Sequence, residues 1–494
     1  MRFKVCVYAI CKNELKYIDD WVKSMSEADW ICVLDTGSTD GTVERLRELG
    51  CIVGQQEVKP WRFDVARNLS MELIPAEADI CVSTDMDEIL EPGWREKLEQ
   101  HWKPGSIQGR YRYTWNFNDD GTEGTVFLYD KIHCNHDFKW VNPVHEVLHY
   151  TGDAPHTMVA LPGIQLNHYA DPNKSRSQYL PLLELAVEEN PNNDRNLHYL
   201  GREYMFYRRW NDAIEMLKRH LALPTSTWRE ERCASMRFIG RCYEGLGQQN
   251  SAMEYYWKAI AEAPALREPY VEMAKLLYRQ EDWFGVLFIV DKVLKIRTRT
   301  GSYICEADAW GSLPYDIASM AFFHIGNIPM ALNMARGAHD KAPLDARINK
   351  NIELFELLVQ KQDEINERTA VAGIPSISIP ERRLNSAAAY DLIGKDGAAA
   401  TAADNILATY GGAEQRPSSE RTLPTDTPAA DLNTKAAFPQ LSGSRKSGGD
   451  ILSGDSVPAP SARPSCSDTL DGDTRAAMDA AAEASKSVEA MFAQ

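Results

Sequence analysis

Asp79-Ile80-Cys81-Val82-Ser83-Thr84-Asp85-Met86-Asp87-Glu88 is the stretch that decides the N-terminal fold: an apolar strand that stops abruptly in acids. Asp85, Asp87 and Glu88 placed just past a buried strand repel one another unless a cation joins them. Mn2+ or Mg2+ favours such oxygen ligands and shares them with substrate phosphates. A metal-bridged diphosphate is also a better leaving group, because the metal neutralises the charge that develops on it. A surface turn after a strand is the plainer reading of the same residues. The position of Asp35, below, weighs against it.

Upstream, short apolar runs alternate with helical patterns. Strands are predicted over Phe3 to Ile10, Trp30 to Leu34, Cys51 to Gly54 and Asp79 to Thr84, and helices over Leu15 to Met25, Val43 to Leu49 and Asp64 to Leu73. Alternation at this spacing predicts βαβ units and a parallel sheet. Right-handed crossovers bring the strand C-terminal ends to one edge, where ligands of open α/β sheets collect. Asp35, in Leu34-Asp35-Thr36-Gly37-Ser38-Thr39-Asp40-Gly41-Thr42, falls at that edge too. Its carboxylate suits a base or ribose, and the small residues after it let a ligand approach the backbone near a helix N-terminus. A plain Ser/Thr/Asp helix cap uses the same residue types.

Downstream, Arg110 to Phe117 alternates and Thr125 to Tyr129 follows a turn at Asn118 to Gly121, which predicts antiparallel strands added to the parallel half. Six of the 11 histidines lie between His133 and His168, either a catalytic half or a chance cluster on strands. His133-Cys134-Asn135-His136 lacks a second Cys/His pair at finger-like spacing, which argues against zinc. Tyr113, Trp115 and Trp140 suit a sugar platform, although large aromatics on strands more often fill a core.

Net charge is −17, from 54 Lys and Arg against 71 Asp and Glu, and no run of basic residues forms a local patch. Such a chain repels phosphate backbones and anionic membrane faces, which argues against a nucleic-acid partner. No apolar stretch approaches the ~20 residues of a membrane-spanning helix. The opening apolar run stops at Lys12 after about eight residues, too short for a signal peptide. Cys6, Cys32 and Cys81 sit in apolar strands, where a small buried hydrophobe is their plain role. A reducing, cytoplasmic location is the expectation.

Cys11-Lys12-Asn13-Glu14, Trp21-Val22, Leu34 to Thr42, Trp61-Arg62-Phe63-Asp64-Val65-Ala66-Arg67-Asn68 and Thr84 to Glu88 follow one another in order. The ordered set resembles the family 2 glycosyltransferases of GT-A fold. The resemblance implies that Asp35 faces the uracil or ribose of a nucleotide diphosphate sugar, with a UDP-sugar as expected donor and a hexose as the group moved. It also implies that Asp85-x-Asp87 is the metal-binding DxD and that Ser38, Arg67 and Met86 join Asp35 and Asp85 around the donor. Arg67 suits that place by type, since a fixed cation beside an anion strengthens in a low-dielectric cleft; a surface salt bridge on a helix is the plainer alternative. Trp140-Val141-Asn142-Pro143-Val144-His145-Glu146 looks like the W…HE segment of lipopolysaccharide-core and peptide-modifying relatives. Inverting transfer needs a base for the acceptor proton, and Glu146 is the candidate beside Asp87; holding His145 or a backbone amide is its alternative. Ile164 to Tyr169 resembles the closing strand whose histidine, here His168, completes the metal shell in some relatives; a cap at the junction to the helices is equally open.

From Asp171 the sequence turns helical and repeats. Leu200-Gly201-Arg202-Glu203-Tyr204 with Ala213 recurs as Ile239-Gly240-Arg241-Cys242-Tyr243 with Ala252 and Ala259. Both are similar to tetratricopeptide repeats, although the spacing is about 39 residues rather than about 34. Weaker copies run over Glu268 to Ile296 and Tyr315 to Pro343, so an α-solenoid of about four pairs is expected. Its concave face suits an extended acceptor or a second copy of the chain in a homodimer. Beyond about residue 380, Ala, Ser, Gly, Asp, Thr and Pro dominate, too little apolar surface to offset ordering entropy. The expected divisions are 1–170 (GT-A, α/β), 171–375 (helical repeats) and 376–494 (low complexity). The expected activity is metal-dependent transfer to a protein, peptide or glycan. A peptide-binding repeat scaffold with a non-catalytic GT-A domain is the rival; a nucleotidyltransferase is disfavoured because no Gly-rich, basic triphosphate loop follows the first strand.

Overall fold

The computed structural model describes residues 2–118, 121–171 and 177–371, and the low-complexity region expected from residue 376 lies outside them. Strands β1 (Val5–Cys11), β2 (Trp30–Asp35), β3 (Ile52–Gln55), β4 (Ile80–Ser83), β5 (Glu88–Leu90), β6 (Gln108–Thr114) and β7 (Val126–Cys134) are followed by a hairpin of β8 (Phe138–Val141) and β9 (Val147–Tyr150), then by β10 (Met158–His168). All but the hairpin join one mixed sheet, in the order β3-β2-β1-β4-β7-β6-β10-β5. The β3-β2-β1-β4 part is parallel, as the alternation predicts, and β7 enters antiparallel between β4 and β6. Helices α1 (Ile18–Met25), α2 (Thr42–Glu48), α3 (Phe63–Met71) and α4 (Trp94–His101) make the crossovers and flank the sheet.

The apolar runs are continuous because the central strands are covered on both faces. On β1, Val5, Val7 and Ala9 face a core that includes Trp21, Met25 and Trp94, while Cys6 and Tyr8 face a second one with Cys32, Cys81 and Trp140. The described cysteines are buried free thiols, the role their strand positions suggest.

Ten further helices follow among the described residues: α5 (Tyr179–Glu189), α6 (Asp194–Phe206), α7 (Trp210–Ala222), α8 (Arg229–Gly245), α9 (Gln249–Glu262), α10 (Glu268–Arg279), α11 (Trp283–Lys295), α12 (Leu313–His324), α13 (Ile328–His339) and α14 (Ala346–Val371). The four repeats expected from sequence are the pairs α6/α7, α8/α9, α10/α11 and α12/α13, and each second helix also packs on the first helix of the next pair. The repeated glycines explain the closeness of the pairs. A Cβ on Gly201 would lie 2.5 Å from Leu217 Cγ, and one on Gly240 would lie 2.3 Å from Tyr256 Cε1.

One connection breaks the repeat pattern. Residues 296–312, between α11 and α12, run back across the first helices of the pairs. Glu306 accepts from Arg237 (2.7 Å) and Arg241 (2.6 Å) of α8, and Trp310 Nε1 donates to Glu268 Oε1 of α10 at 3.0 Å. Tyr303 donates to Glu231 at 2.7 Å and its ring stacks toward Tyr199 of α6. The same segment reaches the sheet, where Leu128 N–H donates to Gly301 O at 3.3 Å. The face of α6, α8 and α10 therefore carries the chain's own residues 297–311.

Candidate functional site

β1, β2 and β4 end side by side, with Cys11 paired to Asp35 in the parallel register. Asp35 is 1 % exposed; its Oδ1 accepts the N–H groups of Gly37 and Ser38 at 3.1 Å, and the Cys11 thiol donates to Oδ2 at 3.6 Å. Asn13, at φ 57°, clamps the other side of this loop: its N–H donates to Ser38 Oγ at 2.7 Å and its Oδ1 accepts from Thr39 N–H at 2.8 Å. Asp35 thus shapes the Ser38 loop in the manner of a cap, at the same sheet edge as the other acids.

Asp85 lies just past β4, held between two cations. Its Oδ1 accepts from Arg67 Nη2 at 2.8 Å and its Oδ2 from Lys131 Nζ at 3.2 Å. Burial alone would raise this carboxyl's pKa; Arg67 and Lys131 outweigh it and hold it well below the ordinary range. Arg67, on α3, is 4 % exposed and lies over the Trp140 ring at 4.9 Å, so it is no surface salt bridge. Its Nε donates to Glu146 Oε1, while its buried Nη1 has no partner among the described residues. Lys131, on β7, also lies 3.7 Å from Glu88. Glu88 accepts the Asp85 N–H and the Tyr113 hydroxyl, each at 2.8 Å, and burial pushes its pKa up.

Asp87 turns to the other side of the edge, where its Oδ2 lies 3.6 Å from His168 Nε2. His168 ends β10 and its Nδ1 is 2.8 Å from Trp115 O. Burial opposes charge on this imidazole, but Asp87 outweighs it and raises the pKa. Met86, between the two aspartates in the turn that joins β4 to β5, is buried in the sheet core, so its side chain does not line the edge. Among the described residues no three His, Cys, Asp or Glu side chains converge as a metal cluster. Of the aromatics weighed as platforms, Tyr113 and Trp140 are core and Trp115 is 48 % exposed beside His168.

Glu146 sits where the β8/β9 hairpin turns, after Asn142 at φ 79° and His145 at φ 50°. The helical half holds this turn. Val144 is buried in the core of the first helices, the His145 ring stacks on Tyr199 at 4.1 Å, and Asn196 Nδ2 donates to Asn142 Oδ1 at 3.2 Å. The start of α3 is tied to the same turn, since Phe63 N–H donates to Pro143 O at 2.9 Å, and Phe63 lies edge-on to Tyr179 of α5. Arg67 and Glu146 are thus set against each other by elements that both dock on the repeats.

The glycosyl transferase family 2 model matches residues 6–151. That region is a family 2 glycosyltransferase domain. Asp35, Arg67, Asp85, Asp87, Lys131 and Glu146 all fall inside the matched domain, and His168 lies just beyond it. No curated protein matches the chain. Among solved structures, S. aureus TarS 1-349 is 14 % identical, covering 52 % of this chain and 92 % of its own at a TM-score of 0.32. MamA is 19 % identical, covering 36 % of this chain and 99 % of its own at 0.29, and a thermophilic TPR protein of Thermus thermophilus is 17 % identical, covering 36 % and 89 % at 0.27. No described helix is long and apolar enough to cross a membrane.

Sequence reading missed Lys131. The available signal was a lysine inside β7, just before Ile132, where the strand becomes buried and a buried cation requires an acid opposite it.

Proposed function

We propose that the family 2 domain moves a sugar, with inversion and with the help of a divalent metal, from a nucleotide diphosphate sugar to a protein, peptide or glycan acceptor, as a cytoplasmic enzyme. The observation that carries this reading is the asymmetric edge after β4. Asp85 is saturated by Arg67 and Lys131, whereas Asp87 and His168 approach each other with no other cation between them among the described residues.

The residues present fit Mn2+ or Mg2+ through Asp87 and His168. The carbonyl of Trp115 engages Nδ1 of His168, which leaves Nε2 facing Asp87, the orientation that metal-binding histidines take. A metal of this kind keeps open positions for phosphates, so two protein ligands suffice. When bound, it would neutralise charge on the departing nucleotide diphosphate. Asp85 has a different part: it holds Arg67 and Lys131 in place as the fixed positive wall of the donor site. Arg67 Nη1, buried and without a partner among the described residues, suits a phosphate oxygen. Asp35 and Ser38 form the loop against which the nucleoside would lie. Glu146, oriented by Arg67, is the group suited to take the acceptor's proton.

Incubating the full chain with a panel of nucleotide sugars and Mn2+, then measuring nucleotide diphosphate release, tests this reading. Metal-dependent release from one donor is the expected result, and none from any donor would favour the non-catalytic scaffold.

A further inference from the structure

The β8/β9 hairpin, which carries Glu146 at its turn, is a two-stranded sheet apart from the eight-stranded one. No strand of the larger sheet pairs with it among the described residues, so other groups must fix where Glu146 stands. Asn68, the residue after Arg67 on α3, grips the hairpin's outer edge. Its Nδ2 donates to Trp140 O and its Oδ1 accepts from Trp140 N–H, each at 2.9 Å. Trp140 faces Leu148 of β9 across the hairpin, and its main-chain groups go to Asn68 on the other side. One carboxamide thus supplies both the donor and the acceptor that a neighbouring strand would supply.

This clasp is one of three points at which α3 holds the segment from Trp140 to Glu146. Asn68 takes Trp140, Phe63 N–H donates to Pro143 O at 2.9 Å, and Arg67 Nε donates to Glu146 Oε1. Between them Asn142 and His145 adopt left-handed backbone, at φ 79° and 50°. Residues other than glycine persist there only where their surroundings over-determine them. The Trp140 ring is pinned as well. His133 Nδ1 is 2.7 Å from Cys134 O, so that nitrogen carries the proton and Nε2 accepts from the Tyr8 hydroxyl at 2.8 Å. The Tyr8 oxygen in turn accepts from Trp140 Nε1 at 3.0 Å, and the ring so held lies under Arg67. Glu146 gives Oε1 to Arg67, and its Oε2 has no partner among the described residues.

We propose that Asn68 is a positioning residue for the transfer: by clasping the main chain of Trp140 it sets the hairpin on α3, so that Glu146 meets Arg67 through Oε1 and presents Oε2 to the acceptor. The proposal rests on the glycosyltransferase reading with Glu146 as base. Asn68 acts through Trp140, and Arg67 keeps its own bond to Asp85 without it. Its loss therefore belongs in turnover and not in donor affinity. A clasp with a structural role alone would lower the melting temperature and leave each folded molecule as active as before.

Release of nucleotide diphosphate by the full chain tests this, with Mn2+ and UDP-glucose, or whichever sugar of the panel is turned over, and with water as acceptor. Water too must lose a proton to the base. Rates are counted per folded molecule, and donor Kd is measured by calorimetry. Asn68→Ala should lower kcat about a hundredfold, the scale of a displacement of about 1 Å at a reacting group, with donor Kd unchanged. Asn68→Asp keeps the acceptor for Trp140 N–H and loses the donor, so its kcat should fall between, and it decides the matter if the alanine variant does not fold. Trp140→Phe leaves the main-chain clasp in place and should keep most of the turnover. The proposal is overturned if the Asn68 variants match the wild-type kcat. It is also overturned if donor Kd weakens as much as kcat falls, which would place Asn68 on the donor side, or if Trp140→Phe loses as much as Asn68→Ala, which would move the role to the ring. A wild-type chain that turns over no donor sinks the glycosyltransferase reading itself, whereas an active wild type with unaltered Asn68 variants sinks the positioning role alone.

Discussion

The sheet edge after β4 and the inner face of the helix pairs are both built from arginines and acids, and they use them differently. On the helices, Arg237 and Arg241 share Glu306, Arg241 also meets Glu272, and Lys275 meets Glu272 again, so each acid is answered inside the chain. At the sheet edge only Asp85 is answered twice. Among the described residues Arg67 keeps one nitrogen unpartnered, and the Asp87 carboxylate has His168 as its ion-pair neighbour. The first arrangement holds the strap 297–311, with Arg237 Nε and Glu268 Oε2 left unpartnered among the described residues; the second leaves Arg67 Nη1 unpartnered and Asp87 with His168 as its cationic neighbour. Incomplete pairing of buried charge costs stability unless a ligand completes it, which is why residual valence marks a site better than charge does.

That contrast can be broken by substitution. The largest effect is expected at Asp87→Ala, with Mn2+-dependent donor turnover falling about a thousandfold or more, since several kcal/mol of charge stabilisation disappears; undiminished release of nucleotide diphosphate would remove the metal reading. Glu146→Gln should lower kcat by about 10²- to 10⁴-fold while leaving donor affinity intact, as measured by calorimetry with the nucleotide sugar; an unchanged kcat would reassign the base. Arg241→Met should do the opposite of both. It leaves the buried Glu272 with Lys275 alone and costs up to about 3 kcal/mol in denaturant unfolding, with donor turnover per folded molecule unchanged.

Gly240→Ala sharpens the comparison at a smaller scale. The added Cβ meets the Tyr256 ring, for an expected loss of about 1–3 kcal/mol in a thermal or denaturant melt. The same substitution at an exposed helical glycine would have stabilised. The mildest test is pH. Burial pushes His133 in the sheet down to about 4 and His198 in the helices down to about 3, from 6.5. Glu231 is a further case: burial raises its pKa, but His220, His198 and Tyr303 outweigh that and hold it at about 2. All three are depressed in the folded state, so the stability they contribute is present above the unfolded values. It is lost as pH falls, first below 6.5 for the histidines and then below 4.5 for Glu231. Melting temperatures that stayed flat between pH 7 and 4 would contradict the buried, neutral histidines.

The repeats were legible because their signal is local. Gly201 and Gly240 recur in the same sequence frame, and each does the same steric job against the helix that follows. The strap was not legible, since residues 296–312 show no periodicity and their partners on α8 and α10 lie 38 to 72 residues earlier. At the sheet edge, Arg67, on α3, came from the family resemblance, while Asp35, Asp85 and Asp87 stood out because strand ends and crossovers are predictable from alternation. Lys131 did not, because only the antiparallel entry of β7 beside β4 brings it to Asp85. Met86 went the other way: included for its neighbours, it is turned into the core by the bend between β4 and β5.

By itself, then, the sequence determined the αβ alternation, the sheet edge where the acids collect, and the helix pairs, all of which follow from spacing within a few tens of residues. Only the tertiary structure decided which acid is saturated and which is open, and that Tyr199 and Val144 lock the Glu146 turn to the repeats. Charge pairing is settled by distance in space, and sequence separation says nothing of that distance until the sheet order and the return of the strap are known.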